Sequence, residues 1–443
     1  MSSDAFEAIT LERILTKENL TQALRKVEAN KGSPGVDGMR TDELRGYLFE
    51  HPGELSSAIR TGTYRPSPIR RVYIPKDNGE KRPLGIPTVR DRFVQQAVTL
   101  VLSEEYEKVF ADMSYGFRPN RDCRKAVRRA MEHVKDGYMW VIDLDLRKFF
   151  DTVNHSKLIQ LLSERIKDGR VISLIHRFLR APICEDGKAG KANTMGTPQG
   201  GVISPVLANV ILHELDSKLM SRGIRAVRYA DDAVIFAKSR KAAERILTWV
   251  KRFLEEKLYL KVNDQKTKIL RVGSSEVQFL GFCFTTLVGK KKKERYPAYK
   301  YFPVVHQKKQ RKLKEDLRTL LDRRAPGGIS VVQGKIRRKL KGWANYFHKA
   351  VPVNFMRKLD HWIHRRIRQL LWKQWKTPER RFQEFRRRWK GAPPLKGRFG
   401  YSSNNYWNKS ISYEMHRALK VEVLWSEGWY DLGRAMREVR TSS

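Results

Sequence analysis

Two short acidic β-runs constrain this chain most. The first, Trp140-Val141-Ile142-Asp143-Leu144-Asp145-Leu146, alternates apolar and acidic residues, which puts Asp143 and Asp145 on one face of a strand. The second is Tyr229-Ala230-Asp231-Asp232, with the β-prone run Ala226-Val227-Arg228 before it and Ala233-Val234-Ile235-Phe236 after it. The paired acids therefore sit at the tip of a hairpin. Adjacent carboxylates repel, so a fold that holds them together usually supplies cations. A lone Asp-Asp is an ordinary solvated turn. Two acidic strands in one chain instead suggest a carboxylate site for two Mg²⁺ ions, the device that drives nucleotidyl transfer, with Asp145 and Asp231 each able to bind or bridge metal.

Charge narrows the partners. The chain has 443 residues, enough for two to four folding units, and a formal net charge of +42. Between residues 290 and 398 there are 35 Lys or Arg against 7 Asp or Glu, so two-thirds of the excess lies in about a quarter of the chain. Such a field, with aromatics among the basic residues, suits nucleic acid better than a membrane surface. No run of apolar residues reaches membrane-spanning length, and the acidic, polar N-terminus is no signal peptide. Cys123, Cys184 and Cys283 lie far apart without a Cys-x-x-Cys pair, which argues against a zinc site or disulfide framework and for a reducing compartment.

Along the chain, residues 7–60 read as helical around a Gly-rich interruption, Gly32-Ser33-Pro34-Gly35-Val36-Asp37-Gly38. Two readings of that loop stay open: close approach to a phosphate chain, or a simple helix-to-helix connection. Arg71-Val72-Tyr73-Ile74-Pro75 and Lys81-Arg82-Pro83-Leu84-Gly85-Ile86-Pro87, joined by a turn, form a basic β-hairpin, and a helix follows over residues 91–110. Residues 140–290 alternate strands and helices as an α+β domain does. Beyond Pro303, three amphipathic stripes appear: Leu313, Leu317, Leu320 and Leu321; Ile336, Leu340, Trp343 and Phe347; Phe355, Leu359, Trp362, Ile363, Ile367 and Leu370. Their helical spacing favours core over base-stacking platforms. The charged faces beside them, with Arg337, Arg338 and Lys339 and with Arg365 and Arg366 next to Arg368, are too one-sided for an ordinary solvated surface, and Arg337, Arg338, Lys339, Arg365 and Arg366 are candidate RNA contacts.

Two further segments carry chemistry. Phe150 closes Asp145-Leu146-Arg147-Lys148-Phe149-Phe150 and can pack under the sugar of an incoming nucleotide, rejecting a 2′-hydroxyl by bulk. Between the acidic strands lies Gly196-Thr197-Pro198-Gln199-Gly200-Gly201-Val202-Ile203-Ser204-Pro205, a Gly-rich turn leading into a helix, where Gln199 can contact a minor groove or the template backbone.

The ordered set Ser114-Tyr115-Gly116-Phe117-Arg118-Pro119, the Asp145 to Phe150 segment, Thr197-Pro198-Gln199-Gly200 and Tyr229-Ala230-Asp231-Asp232 resembles the reverse transcriptases encoded by mobile group II introns. Asn263-Asp264-Gln265-Lys266-Thr267-Lys268 and Gln278-Phe279-Leu280-Gly281-Phe282 match as well. Gly342-Trp343-Ala344-Asn345-Tyr346-Phe347 resembles the family's maturase or thumb domain, and the Gly32 to Gly38 loop its N-terminal extension. The similarity is greatest to compact bacterial class C members.

The resemblance implies an α+β right-hand polymerase: an N-terminal extension (1–62), fingers and a palm with an antiparallel sheet (63–290), an α-helical thumb or maturase domain (301–376) and a small basic DNA-binding-like region (377–443). It implies Asp145, Asp231 and Asp232 as the catalytic and Mg²⁺-binding carboxylates, with Asp143 structural. Lys76 and Arg82 match residues that hold the nucleotide triphosphate, where electrostatics also demands cations. Phe150 matches the sugar gate, Gln199 the glutamine beside the nucleotide pocket, and Phe279, Leu280 and Gly281 the primer grip. Lys266 sits where a general acid for pyrophosphate has been placed; an exposed lysine touching nothing is the equal alternative.

The implied activity is RNA-directed DNA polymerisation from dNTPs on an RNA template with a DNA or RNA primer. Binding of the intron RNA would assist splicing, and target DNA would supply primers for mobility. The implied location is the bacterial cytoplasm, with nucleoid association left open. No cysteine follows Cys283, so the Cys-rich endonuclease domain of many relatives is expected to be absent, with priming from a nascent strand at a replication fork. The tail is assigned mainly on charge, which gives salt-sensitive phosphate contacts. Two alternatives stay open: a free-standing reverse transcriptase serving defence or repair, and a splicing cofactor that binds RNA without polymerising. The intron, the DNA target and the oligomeric state are not legible in the sequence.

Overall fold

Apolar residues alternating with polar ones, and short runs of β-branched and aromatic residues, set the strands of this protein. The structure is a computed structural model and describes residues 7–75, 79–185, 187–274, 276–285, 302–322, 328–389 and 406–441. Among these residues there are ten strands: β1 (Ile69–Pro75), β2 (Lys81–Ile86), β3 (Trp140–Leu144), β4 (Ile183–Glu185), β5 (Lys188–Ala189), β6 (Arg225–Tyr229), β7 (Asp232–Ala237), β8 (Lys268–Arg271), β9 (Phe282–Thr285) and β10 (Phe302–Val305). The chain divides into two compact units, Met1–Val272 and Gly273–Ser443.

In the first unit an antiparallel sheet has the order β6-β7-β3-β8. β7 is buried from Ala233 through Ala237, as a central strand covered on both faces requires. Val141, Ile142 and Leu144 of β3 are buried too, while Asp143 between them stays partly open. The helices Cys123–Lys135 and Arg240–Lys257 pack on this sheet. The helix Ser204–Ser221, apolar around most of its circumference, runs between β6 and the helices Val89–Glu107 and His155–Arg165. This sheet is the palm of the expected right-hand polymerase fold.

A second sheet, β2-β1-β4-β5, forms the fingers. β1 and β2 pair antiparallel from Arg70 opposite Ile86 to Pro75 opposite Lys81, so the expected basic hairpin exists. Lys76, in its turn, lies outside the described residues. The expected helix over 91–110 starts two residues earlier, at Val89, because the Thr88 hydroxyl caps the Asp91 N–H. The helix Lys17–Asn30 packs against it. The Gly-rich loop between Asn30 and Leu44 is strapped to the same place. A Cβ on Gly35 would lie 2.6 Å from Thr88 Cα, Arg92 donates to Ser33 O (2.7 Å), and Arg70 donates to Pro34 O (2.6 Å).

Among its described residues the second unit is helical apart from the β9–β10 pair. The expected stripes are core: Leu313, Leu317, Ile336, Leu340, Ile363 and Ile367 are all buried. The same apolar cluster takes in Trp372, Phe385, Met415, Leu424, Trp429 and Leu432, so the regions expected as 301–376 and 377–443 share one core. Phe385 is fully buried between Trp372 (centroids 6.0 Å apart) and Trp375 (5.9 Å), both edge-on. Phe385→Ala should cost about 3–5 kcal/mol in urea unfolding. A loss below about 1 kcal/mol would mean that this core is not shared.

Candidate active site

The β6–β7 hairpin turns through Ala230 and Asp231 alone, with Tyr229 paired to Asp232. Ala230 takes φ +58°, a left-handed conformation that alanine adopts reluctantly. β3 runs beside β7 with Asp143 opposite Val234 and Leu144 opposite Ala233. One further step along that register sets Asp145 against Asp232, so all three candidate carboxylates meet at one end of the sheet. The backbone of Asp145 is held there: its N–H donates to Thr267 Oγ1 (3.2 Å), and its carbonyl accepts from the Asn263 N–H (2.8 Å). Lys266 Nζ lies 3.9 Å from Asp145 Oδ2, with both side chains partly exposed. That pair is a weak one.

Beyond Asp145 the chain passes through Lys148 at φ +47° into a single helical turn, Phe149–Thr152. This turns Phe150 into a cleft of about 740 Å³, which Arg82, Phe117, Gln199 and Gly200 also line. Arg82 Nε donates to Gln199 Oε1 (2.8 Å), so two residues assigned separately to the nucleotide are in direct contact. The Gln199 loop is tied on both sides. Thr197 N–H donates to Phe150 O (2.6 Å), and Gly85 N–H of β2 donates to Gln199 O (2.6 Å). Gly200 sits at φ +110°, where a Cβ would come 2.5 Å from Gly85 O, so glycine is required by close approach as well as conformation.

Electrostatics matches the crowding. Burial raises the Asp232 carboxyl to about 6, helped by Asp231 and Asp145 and opposed by Arg82 and Lys266. Asp143 is also pushed up to about 6, by burial and then by Asp232 and Asp145. Asp231 is raised by burial and by Asp145, against its backbone hydrogen bond and the charge of Arg82. Carboxylates held this way favour a neutralising cation, and their hard oxygens suit Mg²⁺. Among the described residues no group of three or more His, Cys, Asp or Glu is placed to hold a metal ion by itself.

The other expected residues are in the second unit. Leu280 (φ +52°) and Gly281 (φ +84°) make a tight turn between Phe279 and Phe282. Tyr346 Oη donates to Leu280 O (3.0 Å), and Phe282 lies against Tyr346 and Phe347, so the expected primer-grip turn is braced by the Gly342 to Phe347 segment. Arg337 and Arg338 are exposed on the helix Ile329–Phe347, while Lys339 is paired with Asp316. The 365–368 row faces inward more than its charge implies. Arg365 lies 3.4 Å over the Trp407 ring and donates to Trp407 O (3.0 Å). Arg366 donates to Leu321 O (3.3 Å), and buried Arg368 donates to Leu419 O (2.9 Å). The sequence pattern marks neither Asn209 nor Asp216 and assigns Arg228 and Phe117 no role of their own. Arg228 left a signal, a charge next to Ala226 and Val227 in a β-run. Phe117, at φ +58° and 55% exposed at the cleft, left none.

A family model described as reverse transcriptase (RNA-dependent DNA polymerase) matches residues 74–284, and one described as group II intron, maturase-specific domain matches residues 310–389. Over 352 residues the chain is 35% identical to protein YkfC of Escherichia coli (strain K12), covering 70% of this chain and 91% of YkfC. Over 325 residues it is 31% identical to the group II intron-encoded protein LtrA of Lactococcus lactis subsp. cremoris, covering 59% of this chain and 54% of LtrA. It is 30% identical over 317 residues to the putative COX1/OXI3 intron 2 protein of Saccharomyces cerevisiae, covering 59% of this chain and 37% of that protein.

The raised Asp232 carboxyl has a sign that can be measured. A carboxyl whose folded-state value lies above its unfolded value weakens the fold once ionised, so the penalty is present above about 6 and vanishes as pH falls below the unfolded value near ~4. Asp232→Asn should therefore stabilise the metal-free protein at pH ~7.5 and lose that gain at pH ~4, read by urea unfolding at both. Because Asp232 keeps one side open to solvent, the effect is screened. An equal gain at both pH values would mean that the carboxylate is not strained.

Proposed function

We propose that this chain, which belongs to the family of group II intron-encoded reverse transcriptases with a maturase domain, extends a primer along an RNA template at the sheet end carrying Asp145, Asp231 and Asp232. The observation that carries the reading is the register of β7 against β3, which brings the three acids together beside the cleft of Phe150, Gln199 and Arg82. Asp145, Asp231 and Asp232 would hold two Mg²⁺ ions. When bound, these would activate the primer 3′-hydroxyl and stabilise the leaving pyrophosphate.

The chain's own residues set up the rest. Arg82, exposed at the cleft and steadied by Gln199, offers its guanidinium to the triphosphate. Phe150, buried but lining the cleft, presents a flat apolar wall where the sugar would lie, so a 2′-hydroxyl there meets bulk. Gln199, pinned through its own backbone to β2, holds the base pair's edge. Lys266, beside Asp145, is the candidate to pass a proton from Nζ to the departing pyrophosphate. In the second unit, the Phe279-Leu280-Gly281 turn would grip the primer. The exposed Arg337 and Arg338 would meet intron RNA phosphates, steadying the folded intron for splicing, and the polymerase would serve mobility by copying that RNA at a primed DNA target.

Asp231→Ala and Asp232→Ala test the site. Each should lower Mg²⁺-dependent primer extension on an RNA template by about 10³-fold or more while leaving RNA affinity within about twofold, since the acids contact metal rather than RNA. Extension at the wild-type rate would remove the assignment.

A further inference from the structure

β6 carries an arginine beside two buried apolar neighbours, and Arg228 is itself only 2% exposed. A buried guanidinium is tolerated only when its charge is paired and its donors are used. Every nitrogen of Arg228 is engaged. Nε donates to both oxygens of Asp216 (2.9 and 3.0 Å). Nη2 donates to Asp216 Oδ2 (2.6 Å) and Ser114 Oγ (2.8 Å). Nη1 donates to Asn209 Oδ1 (2.9 Å) and to the carbonyl of Ala230 (2.9 Å). Asp216, Asn209 and Ser114 are as buried as Arg228.

The last of these bonds reaches the tip of the acidic hairpin. The Ala230 carbonyl shares a rigid peptide plane with the Asp231 nitrogen, so the atom that Nη1 holds sets the direction in which Asp231 leaves the turn. The other side of Ala230 is held as well. Asn209 Nδ2 donates to Gly116 O (2.9 Å), and the Gly116 backbone lies so near that a Cβ there would come 2.2 Å from Ala230 N. Ala230 is thus clamped at its carbonyl by Arg228 and at its amide by Gly116, in a left-handed conformation an alanine does not choose unaided. Joining the 113–115 segment to β6 does not need the side chain. That junction is made by backbone bonds, Arg228 N–H to Met113 O and Tyr115 N–H to Arg228 O, both 2.8 Å.

We infer that Arg228, with Asp216, Asn209 and Ser114, is a positioning set that fixes the Ala230–Asp231 peptide plane and so aims the Asp231 carboxylate. This rests on the reading of Asp231 as a catalytic acid. The set takes no part in bond making. It acts through the backbone of the tip, and its sequence mark is an Asn and an Asp seven residues apart, buried among the apolar residues of the helix Ser204–Ser221, with an arginine in the strand β6.

Arg228→Lys is the test, because lysine keeps the buried charge for Asp216 but cannot span Asp216, Ser114, Asn209 and Ala230 O together. In the full-length chain on an RNA template with a DNA primer, kcat should fall about 100-fold while KM for dNTP and affinity for template–primer stay within about twofold, the pattern of a misplaced reacting group. Hydrogen–deuterium exchange should quicken at residues 230–232 and stay unchanged in β3 and β8. Wild-type kcat with unchanged exchange at the tip would overturn the inference. So would a parallel fall in kcat, template–primer affinity and melting temperature, which would mark Arg228 as merely holding the fold. Should Arg228→Lys not fold, Asn209→Leu, which removes one of the two partners of Nη1 and the tie to Gly116, should lower kcat about tenfold at constant KM; an unaltered kcat overturns the inference there. A wild-type protein that extends no primer would sink the polymerase reading instead, and the exchange measurement, read without turnover, would still decide this one.

Discussion

The repulsion among carboxylates at one end of an antiparallel sheet is the constraint on which the rest of this structure depends. Asp145 directly follows β3, Asp231 lies in the β6–β7 turn and Asp232 begins β7, and the pairing of β3 with β7 leaves them no freedom to separate. The fold answers from two sides. Beneath, a fully hydrogen-bonded arginine pins the turn; beside them, Arg82 and Lys266 lower the cost of charge without neutralising it. In the proposed site the remainder would be left for a metal ion. A site already satisfied by its own cations would have no affinity to offer one.

The cleft beside the acids depends on backbone contacts more than on side chains. Gly200 meets Gly85 O, Gly116 meets Ala230 N, and Gly35 meets Thr88, each at a distance that excludes a Cβ. These three approaches join the Gln199 loop, the hairpin tip and the N-terminal helices to the fingers and palm. Phe150 and Gln199 therefore line one cleft from segments tied to each other, as the proposed selection of a sugar by bulk would need.

Much of this was legible in the sequence where local pattern and chemistry coincide. The alternation around Asp143 and Asp145, the β-prone flanks of Asp231 and Asp232, and the basic hairpin at Arg82 all form as their residues require. Burial of charge was not legible. Arg228 differs from a surface arginine only through Asp216, Asn209 and Ser114, none of them adjacent to it in sequence. The row of Arg365, Arg366 and Arg368 has the spacing of a solvent-facing basic face, yet much of it caps carbonyls of other helices. A helical stripe of cations reads the same in either case. The run of cations past residue 376 likewise hid the apolar residues, Phe385, Leu424 and Leu432, that join the C-terminal helices to one core.

The central claim is that three acids on adjacent strands form a metal-dependent polymerase site. It is tested most directly by titrating Mn²⁺, followed by electron paramagnetic resonance, into protein holding a dideoxy-terminated primer on an RNA template with the matching dNTP. Two bound ions per chain, lost in Asp145→Asn and in Asp231→Asn, are the result expected. Mn²⁺ uptake unchanged in both variants would contradict it.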